Sequence, residues 1–232
     1  MDMNAMQQNA ITLQAEMQWL AQVIETRMHL YWHRPSAYQA ITEVPAPDIT
    51  TNNSLYAQMV KHYRFGPEER IILLLALAPH VQPHLLDVFF VKNSDYDRAF
   101  TEFGGAKGQV FNGFLPTGQT VAFILAANDL EKRFSLFHIF SEDHFFRKHN
   151  ILKLVSSHAE EPFLSGILQL TAEYLSYFTS GTSHKPDFGP NFPAKRIYTN
   201  LDWADLVLDD AARSEVEEIQ DWITHGDTLL HD

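Results

Sequence analysis

The sequence contains no cysteine. That absence removes a disulfide framework, a thiolate zinc site and a cysteine nucleophile together, and it suits a reducing compartment. Long hydrophobic runs are missing too. The longest, Ile71 to Pro79, falls far short of the ~20 residues a membrane-spanning helix needs. Met1 to Gln14 lacks the basic flank and continuous apolar segment of a secretory signal. A soluble, cytoplasmic chain is the expectation. Basic residues are scarce: 17 Lys and Arg stand against 29 Asp and Glu, a net charge of −12, and such a surface repels a phosphate backbone. The excess is local, however. Residues 200–232 hold ten acidic side chains and one basic one, Arg213, for −9 of the −12, which leaves −3 for the rest. The remainder of the chain is therefore free to present a neutral or locally basic face.

What is present is a core. A 45% hydrophobic fraction with 17 Phe, eight Tyr and four Trp among 232 residues is too apolar for disorder, and each buried ring removes roughly 150–250 Å² from water. Leu13, Met17, Leu20, Ile24 and Tyr31 recur at helical spacing, which predicts a first helix from about Ala10 to His33, stopped by Pro35. Ser36 to Asn53 reads as a connector. Ser54 is placed to cap a helix through Tyr63. Gly66-Pro67-Glu68-Glu69 is a helix start, with proline in the first turn and carboxylates at the positive end of the dipole. The helix that follows, Arg70 to Ala78, is apolar all round and is expected at the centre, with Pro79 and Pro83 bracketing its end. Leu85 to Val91 gives another short apolar element.

Residues 101–118 lie in a stretch that contains Gly104, Gly105, Gly108, Gly113 and Gly118, half of the ten glycines. It reads as a structured functional loop or a set of tight turns. Beyond it, Thr117 and Asp129 precede two further helices, the second carrying Leu130, Phe134 and Phe137 on one face. Phe134, Phe137, Phe140, Phe145 and Phe146 are read as core rather than as a ligand box. Ile151 to Val155 and Leu164 to Leu170 predict a hairpin, Thr171 a short helix to Phe178, Lys195 to Thr199 a third strand, and Asp209 or Asp210 a final acidic helix to about Gly226. The fold class is α+β, mostly α. Residues 1–150 are expected to form a helical subdomain, and 151–232 a small α+β part that is winged-helix-like.

No chemical motif is complete. Gly104-Gly-Ala-Lys-Gly108 lacks the spacing, the Gly-Lys-Ser/Thr ending and the preceding strand of a phosphate-binding loop, so a tight turn is the better reading. His29 and His33 share a helix side, but Leu30 stands where a metalloprotease needs glutamate. His138, His144 and His149 match no zinc spacing. A serine nucleophile elbow is absent, and the pairs Glu68-Glu69, Glu160-Glu161 and Glu217-Glu218 are sequence neighbours that suit helix starts, a loop and a solvated face. Hence no catalytic, cofactor-binding or metal residue is assigned.

An ordered series of segments does resemble a known family. It comprises Glu69-Arg-Ile-Ile-Leu-Leu-Leu-Ala-Leu-Ala-Pro-His80, Leu85-Leu-Asp-Val-Phe-Phe-Val-Lys-Asn93, Thr101-Glu-Phe-Gly-Gly105 and Gly113-Phe-Leu-Pro-Thr-Gly118. Glu161-Pro-Phe-Leu-Ser-Gly166, Phe192-Pro-Ala194, Leu201-Asp-Trp-Ala-Asp-Leu-Val-Leu208, Trp222-Ile-Thr-His225 and Thr228-Leu-Leu-His-Asp232 complete it. Together they resemble the region that precedes the motor in bacterial AAA+ ATPases often found with phage-tail-like contractile injection systems. The resemblance runs from about Leu13 to the end, and in such proteins the Walker A loop comes shortly after. It implies a domain that recruits a substrate or adaptor protein, or regulates assembly. ATP, Mg and a hexameric state belong to the motor. The candidate interaction surface is Thr101, Glu102, Phe103, Gly104, Gly105, Phe111, Gly113, Phe114, Leu115 and Pro116, with Phe103, Phe111 and Phe114 as recognition aromatics if exposed. The competing readings are a winged-helix nucleic-acid-binding domain, opposed by Glu160 and Glu161 in its candidate wing, and a stand-alone hydrolase or metal enzyme.

Overall fold

A computed structural model describes residues 3–156, 160–181 and 208–229. The fold is α+β and mostly α, with three small antiparallel strand pairs. The helices are α1 (Met3–Tyr31), α2 (Leu55–Tyr63), α3 (Pro67–Val81), α4 (Gly118–Leu125), α5 (Leu130–Ile139), α6 (Phe145–Lys148), α7 (Ala172–Ser180) and α8 (Asp210–Leu229). The strands are β1 (Lys92–Asn93), β2 (Arg98–Ala99), β3 (Ala106–Lys107), β4 (Phe114–Leu115), β5 (Leu152–Val155) and β6 (Ile167–Leu170). They pair β1 with β2, β3 with β4 and β5 with β6. No single helix among the described residues is long and apolar enough to cross a membrane.

The chain divides into two compact units, residues 1–185 and 186–232. The hairpin and α7 thus belong with the first six helices, and the division falls well beyond residue 150. The expected strand at Lys195 to Thr199 lies outside the described residues. In the second unit the described part is α8, opened by Asp209, whose carboxylate accepts the Ala212 N–H at 2.8 Å.

Residues Arg70 to Ala78 of α3 are all buried, as an apolar surface around the whole circumference requires. The helix does not stop at Pro79. It continues to Val81, and Gln82 still donates to the Ala78 carbonyl at 2.9 Å. Proline removes one backbone donor near the helix end, and burial of the preceding residues outweighs that loss. Pro83 instead opens a 3-10 segment, Pro83–Phe90. Helix α1 supplies Met17, Leu20, Val23 and Ile24 to the core, but it begins well before Ala10. The reason is Asn9, which is buried: its side chain accepts the Tyr56 N–H and donates to the Phe178 carbonyl, tying α1 to α2 and α7.

One polar cluster lies inside this apolar frame. Glu16 of α1 is fully buried. Its carboxylate accepts from Arg70 of α3 through both Nε (3.1 Å) and Nη2, and from the Tyr56 hydroxyl of α2 at 2.7 Å. Arg70 Nη2 also donates to the Pro47 carbonyl at 3.0 Å, and its guanidinium lies 4.8 Å from the Trp19 ring centroid. Helices α1, α2 and α3 therefore meet at a single carboxylate, and Arg70 ties the connector to them.

Removing one partner of a buried ion pair strands the other charge. Glu16→Ala is expected to cost about 3–5 kcal/mol, and a Glu16→Leu/Arg70→Met double variant much less. Tyr56→Phe is expected to cost about 1.5–3 kcal/mol, the range for a hydrogen bond to a charged group. Urea denaturation measures all three. A double variant as unstable as Glu16→Ala would refute the assignment of the cost to an orphaned charge.

The Tyr56 hydroxyl is held well above its ordinary value of 10.0, first by burial and then by the Glu16 carboxylate. A raised folded-state pKa contributes stability that is complete below the unfolded value and is lost as pH rises past it. The denaturation midpoint should therefore fall above pH 10, and less steeply in Tyr56→Phe. Tyr31, Tyr174 and Tyr177 are raised by burial as well, so a residual slope remains.

Candidate functional site

The glycine-rich stretch folds inward. Gly104 (φ 62°) and Gly105 (φ 86°) occupy the left-handed region, where L side chains are disfavoured. A Cβ on Gly105 would overlap the Phe114 ring. The Gly105 N–H donates to Thr117 Oγ1 at 3.1 Å, and the Gly104 N–H to the Thr101 carbonyl at 3.2 Å. These amides are already used within the fold, and the Gly104–Gly108 fragment is two positive-φ glycines leading into strand β3 rather than the expected tight turn. Thr117 is the N-cap of α4. Its hydroxyl accepts from the Thr120 N–H, and Thr120 Oγ1 accepts from the Thr117 N–H, a reciprocal cap.

This arrangement corrects the expected recognition surface. Phe103 and Phe114 are buried. Phe103 packs on Tyr31, Phe89, Phe100 and Phe123, with ring centroids 4.7–5.8 Å apart. Burial of that aromatic area is worth more than its display, so both rings are core. Pro116 is buried and Leu115 half-buried, and the Pro116 carbonyl accepts the Leu168 N–H at 2.8 Å, which joins the stretch to β6. Thr101, Glu102 and Phe111 are exposed, and the Phe111 ring covers Gly113 so closely that a Cβ there would overlap it.

Helix α5 also carries exposed aromatics. Asp129 caps this helix by accepting the Lys132 N–H at 3.1 Å. Leu136 and Phe140 face the core. Leu130, Phe134 and Phe137, one face at i, i+4 and i+7, are 63%, 63% and 43% exposed. The expectation that Phe134 and Phe137 are core is therefore overturned, whereas Phe140 and Phe146 are buried and Phe145 stacks on Phe65 at 4.7 Å. Phe163, from the 3-10 turn Phe163–Ser165 between β5 and β6, stacks on Phe137 at 5.6 Å and is itself half exposed. Four large apolar side chains thus form one surface ridge. The sequence signal was the apolar face of α5; it gives no indication of which side the core lies on.

Beside the ridge opens a cleft of about 700 Å³ between the end of α1, α4 and the start of α5. Arg27, Arg133, Gln119 and Glu102 supply its polar wall, and Trp32 and Leu130 are among its apolar residues. Arg27 Nε donates to the Ile124 carbonyl at 2.8 Å, near the C-terminal end of α4, where a cation complements the helix dipole. Burial holds the Arg27 guanidinium below its ordinary range. Arg133 donates to Gln119 Oε1, while Gln119 Nε2 donates to the Glu102 carbonyl at 3.1 Å. Neither Arg27 nor Arg133 has a carboxylate partner among the described residues, where the ion pairs are Arg70–Glu16 and Lys92–Asp97.

The histidines do not converge. His144 caps α6, its Nδ1 accepting the Phe146 N–H at 3.3 Å, and its ring lies against Phe145. His149 packs on Tyr63. Among the described residues no group of three or more His, Asp or Glu is placed to hold a metal ion. No family model, curated protein or solved structure matches the chain.

Burial pulls the His144 pKa below its ordinary 6.5. A histidine kept neutral in the fold takes up protons on unfolding, so stability should fall as pH drops below 6.5, and protonation also removes the acceptor that caps α6. An NMR titration should place His144 below the free value, and a value above it would overturn the capping assignment. Gly105→Ala is expected to lower stability by more than about 1 kcal/mol through its left-handed backbone and the Phe114 overlap. Thr117→Ala should cost about 1 kcal/mol through the lost cap. Thermal melts of the two variants test this.

Proposed function

We propose that this chain is a protein-recruiting or regulatory module with no chemistry of its own, of the kind that precedes the motor in bacterial AAA+ ATPases. The observation that carries the recruiting role is the α5 ridge. Leu130, Phe134, Phe137 and Phe163 are exposed together on a capped helix and a hairpin turn rather than scattered. Contiguous apolar exposure of this sort marks a surface that another protein covers. The groups that could serve catalysis have structural employment instead: Glu16, Tyr56 and Arg70 hold helices together, Thr117 and Thr120 cap α4, and His144 caps α6.

The AAA+ assignment rests on the ordered segment series from Glu69 onward. In that reading ATP, Mg and hexamer formation belong to the motor, the contractile-injection association belongs to the family, and the partner here is a protein, not a membrane. The nucleic-acid reading is disfavoured by Glu160 and Glu161 between β5 and β6 and by the acidic side chains of α8.

A photo-crosslinking residue placed at Phe134 tests the role. It should capture a defined protein partner in the source cell, and the same residue at exposed Glu25 should not. Phe137→Asp should weaken capture by about tenfold or more with an unchanged melting temperature, as loss of a central apolar contact does. Robust ATP turnover by these 232 residues, or capture indifferent to Phe137→Asp, would refute the proposal.

A further inference from the structure

The geometry points to the cleft beside α5 as a binding site for a carboxylate carried on an aromatic or apolar body. Two guanidinium groups, on different helices, line one cavity. Arg27 is half-buried, and its position is fixed by the bond from Nε to the Ile124 carbonyl. Arg133 is positioned by the neutral side-chain oxygen of Gln119, and Gln119 is itself oriented by the Glu102 carbonyl. An amide directs a guanidinium without neutralising it. Both arginines therefore retain their charge with no carboxylate against them among the described residues. Partly desolvated cations held in this way match a carboxylate, which accepts two parallel N–H bonds from a guanidinium fork.

The other charged wall group narrows the ligand's charge. Glu102 lines the same cleft, where burial first and the nearby Glu102 carboxylate second raise the pKa of the Tyr31 hydroxyl. The two guanidinium groups and the one carboxylate carry a net excess of one positive charge among them. A monoanion balances that; a phosphate dianion overshoots it. The body of the ligand is set by the remaining wall, where Trp32, Leu30 and Leu130 present apolar surface. A volume of about 700 Å³ is far larger than a bare carboxylate and falls within the range of organic-ligand clefts. The cleft shares Leu130 with the ridge but not Phe134, Phe137 or Phe163, and its test reads small-ligand binding rather than protein capture, so the two can fail separately.

The test is an NMR titration of the isotope-labelled full chain with 3-phenylpropionate, 3-phenylpropionamide and inorganic phosphate. Saturable shifts are expected for amides around Trp32, Gln119 and Arg133 with the acid, and about tenfold weaker binding with the amide, which keeps the ring and loses the charge. Phosphate should bind more weakly than the acid. Arg133→Gln should weaken the acid by about tenfold at unchanged melting temperature, and Arg133→Lys should recover only part of it because the fork is lost. A peptide ending in a free phenylalanine carboxylate separates the two sources of such a group. Tighter binding than phenylpropionate assigns the cleft to a protein terminus, and weaker binding to a free small acid. No saturation with the acid or the peptide, equal binding of acid and amide, tighter binding of phosphate, or an indifferent Arg133→Gln would each overturn the proposal. The amide comparison uses the unaltered chain, so it remains decisive if a variant fails to fold.

Discussion

The arrangement of the helices depends on a carboxylate buried away from solvent. Glu16 is fully buried among apolar side chains, where an unpaired ion costs several kcal/mol. It is tolerable only while Arg70 and Tyr56 reach it, and each of those groups comes from a different helix. The Arg70 contact to Pro47 extends the same requirement to the connector. Hydrophobic burial drives α1, α2 and α3 together without prescribing their registry, because one apolar face slides over another at little cost. A buried ion pair with fixed hydrogen-bond directions does prescribe it.

That constraint passes outward to the rest of the molecule. With α1 fixed against α3, Arg27 and Tyr31 at the far end of α1 meet α4 and the aromatic cluster of Phe103 and Phe123. The cluster requires the chain at 104 and 105 to turn back with positive φ, and the Thr117 hydroxyl accepts the turned amide while capping α4. α5 follows α4 directly and buries Leu136 and Phe140 on one side. Its opposite face, with Phe134 and Phe137, is left outward. The exposed ridge and the cationic cleft are thus consequences of how the aromatic core closes beneath them.

Local punctuation was legible in advance. The caps at Ser54, Thr117 and Asp129, the proline start of α3 and the hairpin of β5 and β6 follow from neighbouring residues. Errors arose where a distant residue decided the matter. The apolar spacing places the start of the first helix at about Ala10, yet α1 begins at Met3, with the Asn9 side chain bonded to Tyr56 and Phe178. Pro79 and Pro83 bracket the expected end of α3, and the helix does end between them, at Val81. The β6 strand starts at Ile167 rather than Leu164 because the 3-10 turn takes up the intervening residues. In the candidate site the misassignment was larger. Phe103 and Phe114 stand among flexible glycines, as recognition aromatics do, and Phe134 and Phe137 stand on an amphipathic helix, as core residues do. The fold reverses both.

By itself the sequence determined where the capped helices begin, which class of fold results and that no cysteine chemistry is available, since these depend on composition and on contacts within a few residues. Only the tertiary structure decided which aromatic faces meet water, that Glu16, Tyr56 and Arg70 share one bond network, and that Arg27 and Arg133 open onto one cleft. The physical reason is separation along the chain. Periodicity reports that a helix has an apolar side, but the side that becomes core is set by whatever surface arrives to cover it.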